Sequence, residues 1–255
     1  MNTEITSLVI FGCVLGAVLI GRALSPRLPE DHRSTDTWET VKLAMGLLAT
    51  MSALLLGLLV ASAKGSYDNA RSQVIEMAAK VVFLDRVLTG YGPETAEARA
   101  RLRNAVEQLA RQAMQPPKAN TRVNPGVDTQ AGNTLYLAIQ QLTPHDEMQR
   151  NLKAQATTLA VELGQLRTLL VAESISSISK PLLIVVSFWL VVIFLTFSLI
   201  APNNATARFA LMISAVSAAT AIFLILELDR PFSGLLRISN EPMLNVLSQL
   251  EKSTQ

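Results

Sequence analysis

The sequence predicts an all-α integral membrane protein: four transmembrane helices in two hairpins, an inserted soluble helical bundle, and long helices continuous with spans two and three. Three observations predict it. Charged residues are absent from four long blocks, each bracketed by charge: Glu4 to Arg22, Lys42 to Lys64, Lys180 to Arg208 and Arg208 to Glu227. Between the second and third blocks, apolar residues recur by threes and fours, the period of packed helices. Clusters of Gly, Pro and Asn interrupt that period at only a few places. A helix rises 1.5 Å per residue, so about 20 apolar residues cross the roughly 30 Å hydrocarbon core. Four uncharged helices of that length would overfill the core of a soluble domain of 255 residues.

The expected organisation is span one over 5–21, span two over 41–63, a soluble domain over 64–180, span three over 181–201, span four over 208–228 and a tail over 229–255. The first block lacks the basic leader and small-x-small cleavage site of a secretory signal, which favours a retained span. Gly12 and Gly16, four apart, form a small pair that permits close helix approach. In the following loop, Ser34 to Trp38 supply polar caps and an interfacial tryptophan before the second span. Span two carries Gly46, Thr50, Ala53, Gly57 and Ala61 on one face, a stripe that either packs against another helix or lines a pore.

No proline or glycine pair follows span two, so its helix is expected to leave the membrane at Lys64 and continue to Thr89. Val74, Met77, Val81, Leu84, Leu88 and Tyr91 form its seam. Gly90-Tyr91-Gly92-Pro93 ends it, and a second helix runs from Glu94 to Met114. Residues 115–132 read as a surface loop rich in Pro, Asn, Thr and Gly, followed by a short helix from Asn133 to Leu142. Thr143-Pro144 then resembles an N-cap and first-turn proline opening the longest helix, with Leu152, Ala156, Leu159, Leu163, Leu166 and Leu170 on its seam. That helix is expected to reach Lys180-Pro181 and feed span three, kinked at the proline.

Span three is bulky, with Phe188, Trp189, Phe194 and Phe197, and is expected to face lipid. The turn Pro202-Asn203-Asn204-Ala205-Thr206 makes a hairpin with span four. There Ala210, Ser214, Ser217 and Ala221 suggest a face buried in protein. The tail helix from Pro242 to Leu250 places Met243, Leu247 and Leu250 on one side, suited to docking on the soluble domain or a neighbouring subunit.

Composition excludes several functions. The single cysteine, Cys13, lies within span one, so there is no disulfide framework or Cys-based metal cluster. His32 and His145 show no ligand spacing, and no metal or other cofactor is expected. A net charge of +2 gives no basis for nucleic-acid binding. No nucleophile motif with His support, paired intramembrane carboxylates or phosphate loop points to an enzyme. With both termini inside, eight basic residues (Lys64, Arg71, Lys80, Arg167, Lys180, Arg230, Arg237, Lys252) lie on the cytoplasmic side. Five (Arg22, Arg27, Arg33, Lys42, Arg208) lie outside, which favours a cytoplasmic domain and tail.

The run ELDRPFSGLLRIS at 227–239 resembles the most distinctive segment of the bacterial bestrophin-like family. So do VKLAMGLLATM at 41–51, ASAKGSY at 61–67, Leu84-Asp85-Arg86, Tyr91-Gly92-Pro93 and APNNAT at 201–206. The resemblance implies kinship with bestrophins, pentameric chloride channels whose second transmembrane helices line the pore, and residence in a bacterial inner membrane. The sequence departs from them in lacking an acidic calcium clasp and an aromatic-rich neck on span two.

Two functional readings follow. In the first, copies assemble into a channel for inorganic ions, with Gly46, Thr50, Ala53, Gly57 and Ala61 toward the pore and Lys64 at its mouth. Leu55, Leu56 and Leu59 then pack outward or form a constriction, and Lys64 either favours anions or snorkels to the interface. In the second, the chain is a non-conducting scaffold or sensor whose domain and tail bind a partner. Glu227, Asp229, Arg230, Pro231, Phe232, Ser233 and Arg237 form a membrane-boundary signature, read as a structural clamp, a lipid-headgroup or anion contact, or a permeation element. Small faces on spans one, two and four favour a homo-oligomer in the bilayer.

Overall fold

The computed structural model describes residues 3–27, 35–114, 125–173, 180–202, 204–232 and 235–252. Its described helices are α1 (Thr3–Leu24), α2 (Thr35–Tyr91), α3 (Ala96–Met114), α4 (Pro125–Gln140), α5 (Glu147–Glu173), α6 (Lys180–Ile200), α7 (Ala205–Leu228) and α8 (Glu241–Lys252). α1, α2, α6 and α7 are long and apolar enough to cross a membrane. The chain forms two compact units, 1–67 with 176–230 and 68–175 with 231–255. At 57 residues, α2 is the longest helix and contributes to both units, whereas α5 has 27. The expected continuity of α5 with span three falls on 174–179, outside the described residues.

In the first unit, Val14, Val18, Leu59, Ala63, Val186, Leu190, Phe194, Ala215, Ile222 and Ile225 form one buried cluster. α1 and α6 approach closely at Gly21, where an added Cβ would lie 2.6 Å from the Leu195 carbonyl oxygen. Beside it the Ser198 hydroxyl donates to the Val18 carbonyl oxygen at 2.5 Å, and Ser25 donates to that of Leu199 at 3.0 Å. These bonds matter because hydrocarbon offers a polar group no alternative partner.

This arrangement corrects three expectations within the protomer. Gly12 and Gly16 are not the point of close approach, since a Cβ at either would meet nothing within 4 Å. α6 is the most buried span, with Val186, Leu190, Ile193 and Phe194 in the bundle interior, so of the four aromatics expected to face outward only Phe188, at 63%, is exposed. On α7 the small residues Ala210, Ser214 and Ser217 are exposed, while Ala215, Ala219, Ile222 and Ile225 are buried. At the head of α7, Asn204 accepts from the Ala207 N–H at 2.8 Å, satisfying one of the donors a helix start leaves open.

The second unit is built on Leu84, Leu88, Leu102, Val106, Ile139 and Ala156, all buried. Gly92, at φ 132°, ends α2, and Thr95 Oγ1 lies 2.7 Å from the Leu88 oxygen and 2.8 Å from that of Gly92. Gln149 Nε2 donates to the Tyr91 oxygen at 3.1 Å, so the first turn of α5 satisfies the end of α2. The cap of α5 is Asp146, which accepts from the Gln149 N–H at 2.6 Å, rather than Thr143. α4 begins at Pro125, earlier than Asn133, because proline at the first helical position forfeits no hydrogen bond. Lys153 Nζ donates to the Gln140 and Leu142 oxygens, both at 2.8 Å, and so closes the end of α4. α8 buries Met243, Val246 and Leu250 in the same core, with Arg103 Nη2 3.5 Å from the Leu250 oxygen.

Candidate functional site

At 100° per residue, Gly46, Thr50, Ala53, Gly57, Ala61 and Lys64 fall within an arc of about 80° on α2. All six are exposed. Ser52, Leu59 and Ala63, which are buried, lie roughly 140° away around the helix. Leu55 and Leu56 pack beside them against the cluster of the first unit. α2 therefore uses its leucine edge to join its own bundle and turns its small-residue face elsewhere.

The chemistry of that face is neutral. Thr50 donates its hydroxyl to the Leu47 oxygen of its own helix at 2.7 Å, as Ser52 on the buried side does to that of Leu48 at 2.8 Å. A Cβ added at Gly46 or Gly57 would meet nothing within 4 Å. These glycines are thus not required for packing within one chain. Lys64 ends the arc, with Nζ 5.6 Å from the centroid of the Tyr67 ring one turn on. This contact orders the ammonium.

The second candidate segment follows α7. Glu227 and Asp229 are buried, at 4% and 8% exposure, although two residues apart, and neither is without a partner. The Asp229 and Arg230 N–H groups donate to the Ile225 and Glu227 oxygens, both at 3.2 Å. Pro231 is buried, and its carbonyl accepts from the Ile238 N–H at 2.8 Å, closing the loop on itself. Arg230, Phe232 and Arg237 are exposed, and Ser233 lies outside the described residues. Among the described residues no group of three His, Cys, Asp or Glu side chains is placed to hold a metal ion.

Sequence reasoning found both segments but missed the Gly21–Ser198 contact. Its only signal was a glycine at the end of span one and a hydroxyl in an otherwise bulky span. It also missed a crevice of about 310 Å³ between α1 and α7.

The sequence profile of the Bestrophin-like domain matches residues 12–243. None of the functionally curated proteins matches the chain. Among solved structures, point variants of a bacterial Bestrophin homolog from Klebsiella pneumoniae share the fold. One aligns with a TM-score of 0.71 at 14% identity, covering 100% of this chain and 98% of that one. A second gives 0.68 at 16% identity over 96% and 98%, and a third 0.64 at 16% over 83% and 84%. Identities this low establish the fold alone. With nearly its whole length matched and four membrane-crossing helices, the chain belongs to the Bestrophin-like family and is a multi-pass membrane protein of that fold.

Proposed function

We propose that copies of this chain assemble in a bacterial inner membrane around an axis lined by α2 and conduct inorganic ions. Gly46, Thr50, Ala53, Gly57 and Ala61 line the pore in this reading, and Lys64 rings its cytoplasmic mouth and favours anions. The observation that carries it is the division of α2: its leucine edge is in the bundle while all six small-face positions, Lys64 included, are exposed in the protomer. Of the four spans, α2 has the least of its apolar window buried, 11%. The small side chains of this face leave room for ions along an axis shared by several copies. The boundary segment then acts as a clamp, its buried Glu227 and Asp229 fixing the end of α7. The helical unit, the tail and both termini are cytoplasmic in this arrangement, as the distribution of basic residues favours.

The scaffold reading is weakened at the tail, because the apolar side of α8 is already committed to the core of its own unit. Chloride and potassium flux into liposomes holding the purified oligomer tests the proposal, with Gly57→Trp as the blocking variant.

A further inference from the structure

We propose that neighbouring copies meet along the two flanks of the small-residue face of α2, and that Lys42 of one copy pairs with Glu39 of the next at the outer end of that contact. The inference rests on the assembly proposed above and adds to it the surface by which one copy holds another. In a ring of about four to six helices whose small faces point at the axis, each helix meets its neighbours at roughly 45–60° to either side of that face. A ring joins one flank of each copy to the opposite flank of the next, so the two flanks must be complementary.

At 100° per residue the flanks can be assigned. On one side, roughly 40–100° from the middle of the face, stand Leu43, Leu47, Leu54 and Leu58, which are 77%, 66%, 76% and 58% exposed. On the other side, roughly 60° from the middle, stand Lys42 and Val60, both exposed. Beyond that second edge α2 enters its own bundle at Leu56 and Ala63. One flank is therefore a bulky, open row, and the other is the margin of a packed core on which such a row can sit.

Hydrocarbon would cover the leucines equally well, but the outer end of this surface carries charge of both signs. Lys42 and Glu39 are exposed, and among the described residues neither takes part in an ion pair, although a spacing of three on one helix permits one. Asp36, in the first turn of α2, answers the positive end of the helix. Glu39, a turn further on, lies at the middle of the face, and its height differs from that of Lys42 by roughly 4.5 Å. With helices about 8–10 Å apart, the long lysine stem of one copy spans to the Glu39 carboxylate of the next. Lys42 also opens the charge-free block of span two, at the depth where ionised groups pair with one another. Lipid phosphate would suit Lys42 but repel Glu39, whereas a second copy satisfies both.

Sizing the oligomer in mild detergent by native mass spectrometry, together with crosslinking, tests the contact. Lys42→Glu and Glu39→Lys each set like charges against one another and are expected to lower the oligomer fraction at least threefold, and the double reversal is expected to restore it. In a Cys13→Ser background, which removes the one native thiol, copies carrying Glu39→Cys and differently tagged copies carrying Lys42→Cys are expected to be joined by a short bismaleimide. Lys42→Cys copies mixed with Ile184→Cys copies, whose thiol is exposed on α6, are the control and are expected to stay separate. Undiminished oligomer in both single reversals would leave the leucine row to lipid and overturn the contact. A loss that the double reversal fails to recover, or the absence of the crosslink, would also overturn it, each of these three results leaving the pore untouched. A monomeric wild type would overturn the assembly itself, and the contact with it.

Discussion

Ser198 of α6 donates to the Val18 carbonyl of α1 at 2.5 Å, beside the point where Gly21, one turn further along α1, lets the two backbones meet. The contact makes two separable demands, a small residue on one helix and a hydroxyl on the other. Gly21→Ala brings a methyl group against the Leu195 backbone and should cost about 1–3 kcal/mol, as overpacking does. Ser198→Ala should cost less, about 0.6 kcal/mol. Unfolding in mixed micelles would measure both, and equal costs would show that the glycine is not the limiting feature.

Asp85 and Arg99 join α2 to α3, with Arg99 Nε 2.8 Å and Nη2 3.4 Å from the two carboxylate oxygens. Both side chains are largely buried, at 11% and 18% exposure. Removing one partner leaves the other charge in a poor environment, so Asp85→Ala should destabilise the helical unit by about 3 kcal/mol. Asp85→Ala combined with Arg99→Met should recover part of the loss, which a double-mutant cycle would measure.

Tyr91 ends α2 with a buried hydroxyl that has no hydrogen-bond partner among the described residues. Tyr91→Phe removes a polar group that folding strips of water without compensation, and should raise stability by about 1 kcal/mol. Its neighbour behaves in the opposite way. Gly92 has φ 132° and ψ −178°, a region nearly closed to other residues, so Gly92→Ala should cost about 1–3 kcal/mol. Thermal unfolding should show the two substitutions moving in opposite directions.

The same unit should lose stability in alkali. Burial raises the Tyr91 hydroxyl above 10.0, aided by Glu94 and Asp146. The bond that the Lys80 ammonium donates to Glu162, at 2.6 Å, raises Lys80 above 10.5, with Glu76 adding to it. In both cases the folded chain holds its proton more tightly than the unfolded one. The stabilisation is therefore complete below the unfolded values and lost as pH rises through the folded ones. Denaturant midpoints should fall above about pH 10. Tyr91→Phe should remove part of that fall, and a flat profile would contradict the assignment.

At the end of the exposed arc of α2, Lys64→Glu tests the charge at the proposed mouth. The ammonium stands against Tyr67 and is exposed, so the substitution reverses a charge without opening a cavity. Relative chloride permeability should fall and the reversal potential shift toward cations. An unchanged reversal potential in a conducting protein would confine Lys64 to an interfacial role.

The spans were legible in the sequence because charge cannot be hidden in hydrocarbon, and the continuity of α2 because no proline or glycine pair lies between Lys64 and Thr89. Which side of each span faces inward was not. Lipid, a neighbouring subunit and the chain's own bundle all exclude water, so the pattern Ala210, Ser214, Ser217 and Ala221 on α7 could not distinguish among them. The same ambiguity holds for Gly12 and Gly16, which have no close neighbour within the protomer, while Gly21 went unnoticed beside Arg22. In the helical unit water does discriminate, and the seam from Val74 to Tyr91 is buried as its spacing indicates. The early start of α4 escaped notice because Pro125 was read with the loop residues before it instead of as the first residue of a helix.

The most direct test of the central claim is ion flux in liposomes containing the purified, size-resolved oligomer, with chloride and potassium gradients imposed separately. The account predicts chloride-favouring flux that Gly57→Trp abolishes without altering oligomer size, because the indole enters the open face of α2. Flux undiminished by Gly57→Trp, or no flux under either gradient in conditions that open the wild type's relatives, would contradict a pore along that face.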